Sequence, residues 1–157
     1  MAEFRVPTNA LSAEILTARG ETLVGRIFIP ASASRHSGAM RAGEWLDERA
    51  DFFPFLADGE ERSIILNKRQ VLVVSVAAAA EGDEAAEEER AGTRRQVRVR
   101  CGEREFEGTV LIEMPESQSR VLDHLNRPSR FLGLSDGRRH SFIQMGQITS
   151  VQENREG

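Results

Sequence analysis

The feature that most limits what this chain can become is that it repeats. The stretches from Ile15 to Val76 and from Val97 to Val151 carry the same signals in the same order. Each opens with a β-like run (Ile15-Leu16-Thr17; Val97-Arg98-Val99-Arg100) and turns at a glycine beside a glutamate (Gly20-Glu21; Gly102-Glu103). Each returns through an apolar run holding a glycine, Gly25 in the first copy and Gly108 in the second. Two β-like runs about such a turn predict a hairpin. A polar loop follows (Pro30 to Gly38; Pro115 to Ser119), then a short helix ending Trp45-Leu46-Asp47 or His124-Leu125-Asn126. Pro128 stops the second helix, and Val121, Leu122 and Leu125 share one helical face. Both copies then run from a phenylalanine-led segment (Phe52-Phe53-Pro54-Phe55; Phe131-Leu132-Gly133-Leu134) to an Asp-Gly turn (Asp58-Gly59; Asp136-Gly137). They close with two strands: Ser63 to Asn67 and Gln70 to Val74, matched by Ser141 to Gln144 and Gln147 to Val151.

Each unit reads ββαββ in about sixty residues, a size that buries too little surface to be comfortably stable alone, so two copies are expected to share a core. The fold class is therefore mainly β with a minor α+β contribution: two small barrel-like halves packed with pseudo-two-fold symmetry. The boundaries are residues 1–76 for the first repeat, 77–95 for a linker and 96–157 for the second repeat. The linker reads AAAAEGDEAAEEERAGTRR, with six acidic residues between Glu81 and Glu89. Lacking an apolar stripe, it is expected to be a mobile, solvating spacer; an acidic decoy for a basic surface is the other reading.

Two families resemble parts of this pattern. Arg94-Arg95-Gln96-Val97-Arg98 before a β run is similar to the arginine-rich lead-in of PilZ domains, which bind a cyclic dinucleotide through such arginines and a later Asp-x-Ser-x-x-Gly. That second element is absent, since Thr109-Val110-Leu111-Ile112-Glu113-Met114 follows Gly108. Both copies also resemble a small bacterial domain of unknown function: strand, Gly-containing strand, Ser-rich loop, helix ending Leu-Asn, Phe-x-x-Leu-x-Asp, strand and strand. The resemblance covers nearly the whole chain outside the linker and the first dozen residues. It implies a small β fold of Sm-like or SH3-like character and brings no activity with it. The first copy departs from it in its longer loop and in Asp47 where the second copy has Asn126.

The 157 residues balance 25 acids against 21 bases, so no global field draws the chain to nucleic acid or anionic lipid. No apolar run approaches the roughly 18 residues of a membrane helix, and no secretory leader pattern opens the chain, so a cytoplasmic protein with no membrane partner is expected. Cys101 stands alone, which removes disulfides and thiolate clusters from consideration. His36, His124 and His140 lack companions at ligand spacing, and no nucleophile elbow or phosphate loop is present. The expectation is a chain with no catalytic residues, no metal and no cofactor.

Two binding surfaces suggest themselves. Trp45, the single tryptophan, and Phe53 in the phenylalanine-rich run that follows are the candidate residues for another protein, because tryptophan concentrates at interface centres. The competing reading is that Trp45 seals the core. Arg94, Arg95, Arg98, Arg100, Arg138 and Arg139 are the candidates for an RNA- or DNA-binding patch, the alternative function. Against it, Glu103, Glu105 and Glu107 balance the same strands, and no exposed aromatic pair is apparent for base stacking. The reading favoured by the sequence is a non-catalytic protein-binding or adaptor module, with homo-oligomerisation through exposed strand edges as a further expectation.

Overall fold

Alternation of apolar and polar residues builds a sheet here, and the two stretches of helical spacing stay short. The computed structural model describes residues 7–31, 40–82, 94–111 and 121–154. The strands are β1 (Thr8–Thr17), β2 (Thr22–Pro30), β3 (Phe52–Ala57), β4 (Ile64–Asn67), β5 (Val71–Ala77), β6 (Gln96–Cys101), β7 (Arg104–Val110), β8 (Phe131–Ser135), β9 (Arg139–Gln144) and β10 (Ser150–Glu153). Helix α1 (Ala42–Asp47) lies between β2 and β3, and helix α2 (Val121–Leu125) between β7 and β8. The phenylalanine-led segments are themselves strands, so each half contains one strand more than ββαββ. Pro54 is tolerated in β3 because the ladder with β2 ends at Ile27 opposite Phe55, one residue short of it.

All ten strands join one antiparallel sheet in the order β10-β6-β7-β8-β9-β5-β1-β2-β3-β4. The sequence suggests two barrel-like halves; the strands instead form one continuous sheet that does not close. The reason is β5, which pairs with β1 on one side and with β9 on the other. Nor do the halves meet about a two-fold axis. Such an axis would pair matching strands or make every contact twice, whereas β5 meets β9 while β4 and β10 stand at opposite ends of the sheet.

The buried side chains form two clusters, and each borrows from the other half. One gathers Ile15, Ile27, Trp45, Leu46, Phe53 and Phe55 with Phe131 and Phe142; the other gathers Val97, Val99, Leu132, Leu134 and Ile143 with Leu72 and Val73. The acidic segment also contributes to the fold: Ala77 completes β5, and Ala78–Glu81 form a 3-10 turn. Residues 83–93 of that segment, His36, and most of the two Ser/Pro loops lie outside the described residues.

Two glycines sit where the backbone of a neighbouring strand comes close. Gly25 in β2 faces Ala13 and Gly108 in β7 faces Val97. A Cβ on Gly25 would stand 2.1 Å from the Leu56 carbonyl oxygen, and one on Gly108 would stand 3.1 Å from that of Ser135. Gly25→Ala is therefore expected to destabilise the protein by about 2–3 kcal/mol and Gly108→Ala by about 1 kcal/mol, the range of overpacked sites, as read by urea denaturation.

Candidate functional site

The arginines do not form one basic surface. On β6 the burial alternates, with Val97, Val99 and Cys101 inward and Arg98 and Arg100 outward. Arg98 Nε donates to Glu107 Oε1 at 2.9 Å, and Arg100 sits opposite Glu105. At the β8–β9 turn, Arg139 Nη2 donates to Glu14 Oε2 at 3.2 Å. Asp136 Oδ1 accepts from the backbone N–H groups of Arg138 and Arg139 at 2.8 Å each. Those bonds, Arg139's first, hold its carboxyl below the usual aspartate value. Arg94 lines an open groove of about 700 Å3 together with Gln96, Glu107 and the Ser135–Gly137 turn. Arg95 is exposed ahead of β6. Carboxylates thus stand among the guanidinium groups wherever these come together.

Trp45 and Phe53 are both buried. Their rings meet edge to face at 5.1 Å and 77°, in the core beneath β3. The outward residues of that region are others: Phe52 is 59% exposed and Ile65 72%, with Ile64 also exposed at the free edge strand. Phe52 and Pro54 of β3 lie opposite Asn67 and Ile65 of β4, so Phe52, Pro54 and Ile65 form an apolar outer face. Leu122 on α2, the helix whose Val121 enters the second core, is exposed as well. Strand parity hides this in the sequence: in Phe52-Phe53-Pro54-Phe55, pattern alone does not say which alternate pair faces out.

Lys68, the single lysine of the chain, is a further key residue that the sequence does not flag as structural. Only 2% of it is exposed. Its Nζ donates to the carbonyl oxygens of Trp45 at 3.3 Å, Leu46 at 3.2 Å and Glu48 at 3.2 Å, and lies 5.6 Å from the Trp45 ring centre. It thereby caps the C-terminal end of α1, where the last carbonyl groups of a helix run out of backbone donors and only that of Trp45 also receives a local one, from the Glu48 N–H. Burial pushes its pKa down, as does Arg130, while Glu48, Asp47 and Asp51 act in the opposite sense. Arg130 binds the same loop from the second half. It donates to the carbonyl groups of Glu48, Arg49 and Ala50 and, at 2.7 Å, to Asp51 Oδ1. Gln144 Nε2 completes the clamp on the carbonyl groups of Lys68, Arg69 and Val71.

A second polar contact crosses the junction at Glu81. Its Oε2 accepts from the Ala42 N–H at the start of α1, and its Oε1 lies 3.6 Å from His140 Nδ1, with both side chains buried. Burial pushes the Cys101 thiol above its usual pKa, which makes it a poor nucleophile. Among the described residues, no group of three or more His, Cys, Asp or Glu side chains is placed to hold a metal ion, and no helix is long and apolar enough to cross a membrane. Comparison of the chain with protein-family models, curated proteins and solved structures finds no match.

Two outcomes follow from these polar groups. Lys68→Ala takes the shared ammonium donor from the carbonyl groups of Trp45, Leu46 and Glu48, of which the first keeps the Glu48 N–H and the last keeps Arg130, and is expected to cost about 2–3 kcal/mol in urea denaturation. His124 titrates below its ordinary 6.5, because burial and then Arg127 disfavour the cation, with Asp47 opposing. Below pH 6.5 the unfolded chain takes up a proton at this site that the folded chain resists, so stability falls as pH drops through that window. Thermal melts at pH 7.5 and 5.5 should show a smaller acid loss for His124→Phe than for the wild type.

Proposed function

We propose that this chain is a duplicated, non-catalytic scaffold that acts by binding protein, in the cytoplasm, through the apolar surfaces at the ends of its sheet. Support for duplication comes from register. The order β5-β1-β2-β3-β4 is repeated as β10-β6-β7-β8-β9. The cross-strand partners correspond as well: Ile15 faces Leu23 and Val74 as Val99 faces Phe106 and Val151, and Phe52 faces Asn67 as Phe131 faces Gln144. The two glycines of close approach, Gly25 and Gly108, hold one position in that register.

The observation that carries the binding reading is the exposed apolar face of Phe52, Pro54 and Ile65 beside an edge strand. Contiguous exposed apolar side chains at a sheet edge are what a soluble chain avoids unless something covers them. In this reading Trp45 and Phe53 position β3 from beneath, and Phe52 and Ile65 make the contact. The arginines are less well placed to bind phosphates, since Arg98 and Arg139 are already engaged by Glu107 and Glu14.

Affinity capture with the tagged chain from its own cells, with and without nuclease, tests this. The expected outcome is captured protein that survives nuclease and is lost with Phe52→Asp, a substitution at an exposed site that should leave the circular dichroism melt unchanged. Nucleic acid in the eluate, weakened by Arg98→Ala and Arg94→Ala and falling steeply with salt, would overturn it.

A further inference from the structure

We infer that the two free ends of the sheet, β4 and β10, pair with each other between copies of this chain, head to tail. The inference rests on the duplicated, protein-binding reading above and names the partner as a second copy. Inside the chain the halves are joined by β5, the last strand of its half, lying against β9, the fourth strand of the other. The remaining strands of those two kinds are β10 and β4, and they are the two strands that end the sheet.

The side chains at the free ends repeat the internal junction. Phe142 on β9 is 5% exposed, because β5 lies beside it and α1 lies over it. Ile65 holds the same register position on β4 and is 72% exposed. Phe131 and Phe52 form a second such pair, buried in the junction and exposed at the free end. On the covering side, Gly43 stands two residues before Trp45 on α1, and Leu122 two residues before His124 on α2. A Cβ on Gly43 would lie 3.0 Å from the Phe142 ring, so the small residue makes room for the large one. At the free ends the sizes are exchanged: Leu122, 67% exposed, would cover the smaller Ile65. Four of the five exposed large apolar side chains among the described residues, Phe52, Ile64, Ile65 and Leu122, thus occupy junction positions that lack a neighbour.

The backbone agrees. Lys68 N donates to Asp51 O at 2.7 Å, and Asn154 N donates to Gln96 O at 2.9 Å. Alternation along each antiparallel ladder then turns the N–H groups of Ile65 and Val151 away from the sheet, to its free edges. In the internal junction Val74 faces Phe142; the corresponding pairing between chains sets Val151 against Ile65. In that register Glu153 falls opposite Ser63, just before β4 begins. Because the two surfaces differ, each contact leaves one free end of each kind, and assembly continues until a ring closes or a filament grows.

Sedimentation equilibrium or light scattering on the purified chain, with two edge-blocked variants, tests this. Ile65→Pro and Glu153→Pro each delete one outward-pointing N–H and spare the ladder bonds to β3 and β6. The wild type is expected to assemble into two or more chains. Each variant alone should fall to the mass of one chain, 17.5 kDa. An equimolar mixture should recover two-chain particles, since the β10 edge of Ile65→Pro remains open to the β4 edge of Glu153→Pro. Leu122→Asp, at a position two-thirds exposed with little packing to lose, should also yield single chains and guards against misfolding of the proline variants. A wild type that stays a single chain at hundreds of micromolar sinks the inference, as does Leu122→Asp retaining the wild-type mass. Dimers formed by one proline variant alone would point to pairing of like edges and would overturn it too. A single-chain wild type that still captures a nuclease-resistant protein through Phe52 would leave the protein-binding reading standing and remove only self-pairing.

Discussion

The placement of β5 between the two halves is the constraint on which the rest of the structure depends. Val71, Leu72, Val73, Val74 and Val76 are all buried, which requires cover on both faces of the strand. Val71, Val74 and Val76 enter one core, while Leu72 and Val73 enter the other. A strand with one polar face would have served one half only. The continuous apolar run lets a single strand close the first half against β1 and receive the second half through β9. The two cores are therefore coupled: a void opened at Val73 or Val74 is felt next to residues of both halves.

Polar groups fix the angle at which the halves meet. Apolar burial holds them together without specifying direction, whereas Arg130 and Gln144 of the second half bind a defined set of carbonyl groups on the loop after α1 and on the turn before β5, a loop that Lys68 fixes within the first half. Glu81 performs a similar role on the opposite end of α1, linking its first N–H to the neighbourhood of His140. The helix is only six residues long, too short to be stable in isolation. It persists because both of its ends are bound by side chains from elsewhere in the chain and because Ala42, Trp45 and Leu46 are buried. The ionic groups of this clamp are valuable for what breaking them would expose: a carbonyl or an ammonium left buried without a partner costs more than the bond itself contributes.

Much of this was legible in the sequence. Glycine-centred hairpins and the Asp-Gly turns fall where the turn chemistry indicates, and Gly20, Gly59, Gly102 and Gly137 all adopt positive φ. The two helices lie where apolar spacing and Pro128 suggest. What the sequence hid was relational. The phenylalanine run before the Asp-Gly turn suggests a hairpin but does not add a strand to the ββαββ count, yet Phe52 to Ala57 is a strand, which Pro54 can join because it sits just past the ladder with β2. The order of strands across the junction leaves no local trace, so separate halves and one shared sheet are equally compatible with the residues. The candidate surface shifted by one residue, from Phe53 to Phe52, since a single step along a strand changes the face. Lys68 gives a hint in retrospect, as one lysine kept in a chain whose other bases are all arginine. A flexible stem ending in a compact three-donor group fits the crowded end of α1, where a planar guanidinium would not.

The packing of Trp45 also decides what light can report about this protein. With one indole and no phenol in the chain, intrinsic emission arises from a single place, the edge-to-face contact with Phe53 beside the ammonium of Lys68. That fluorophore belongs to the core that contains Phe131 and Phe142 of the second half and stands apart from the cluster around Val97 and Val99. Fluorescence thus watches one core and the seam, while far-ultraviolet dichroism watches all ten strands. Coincidence of the two signals would measure how completely one strand, β5, transmits the loss of one half to the other.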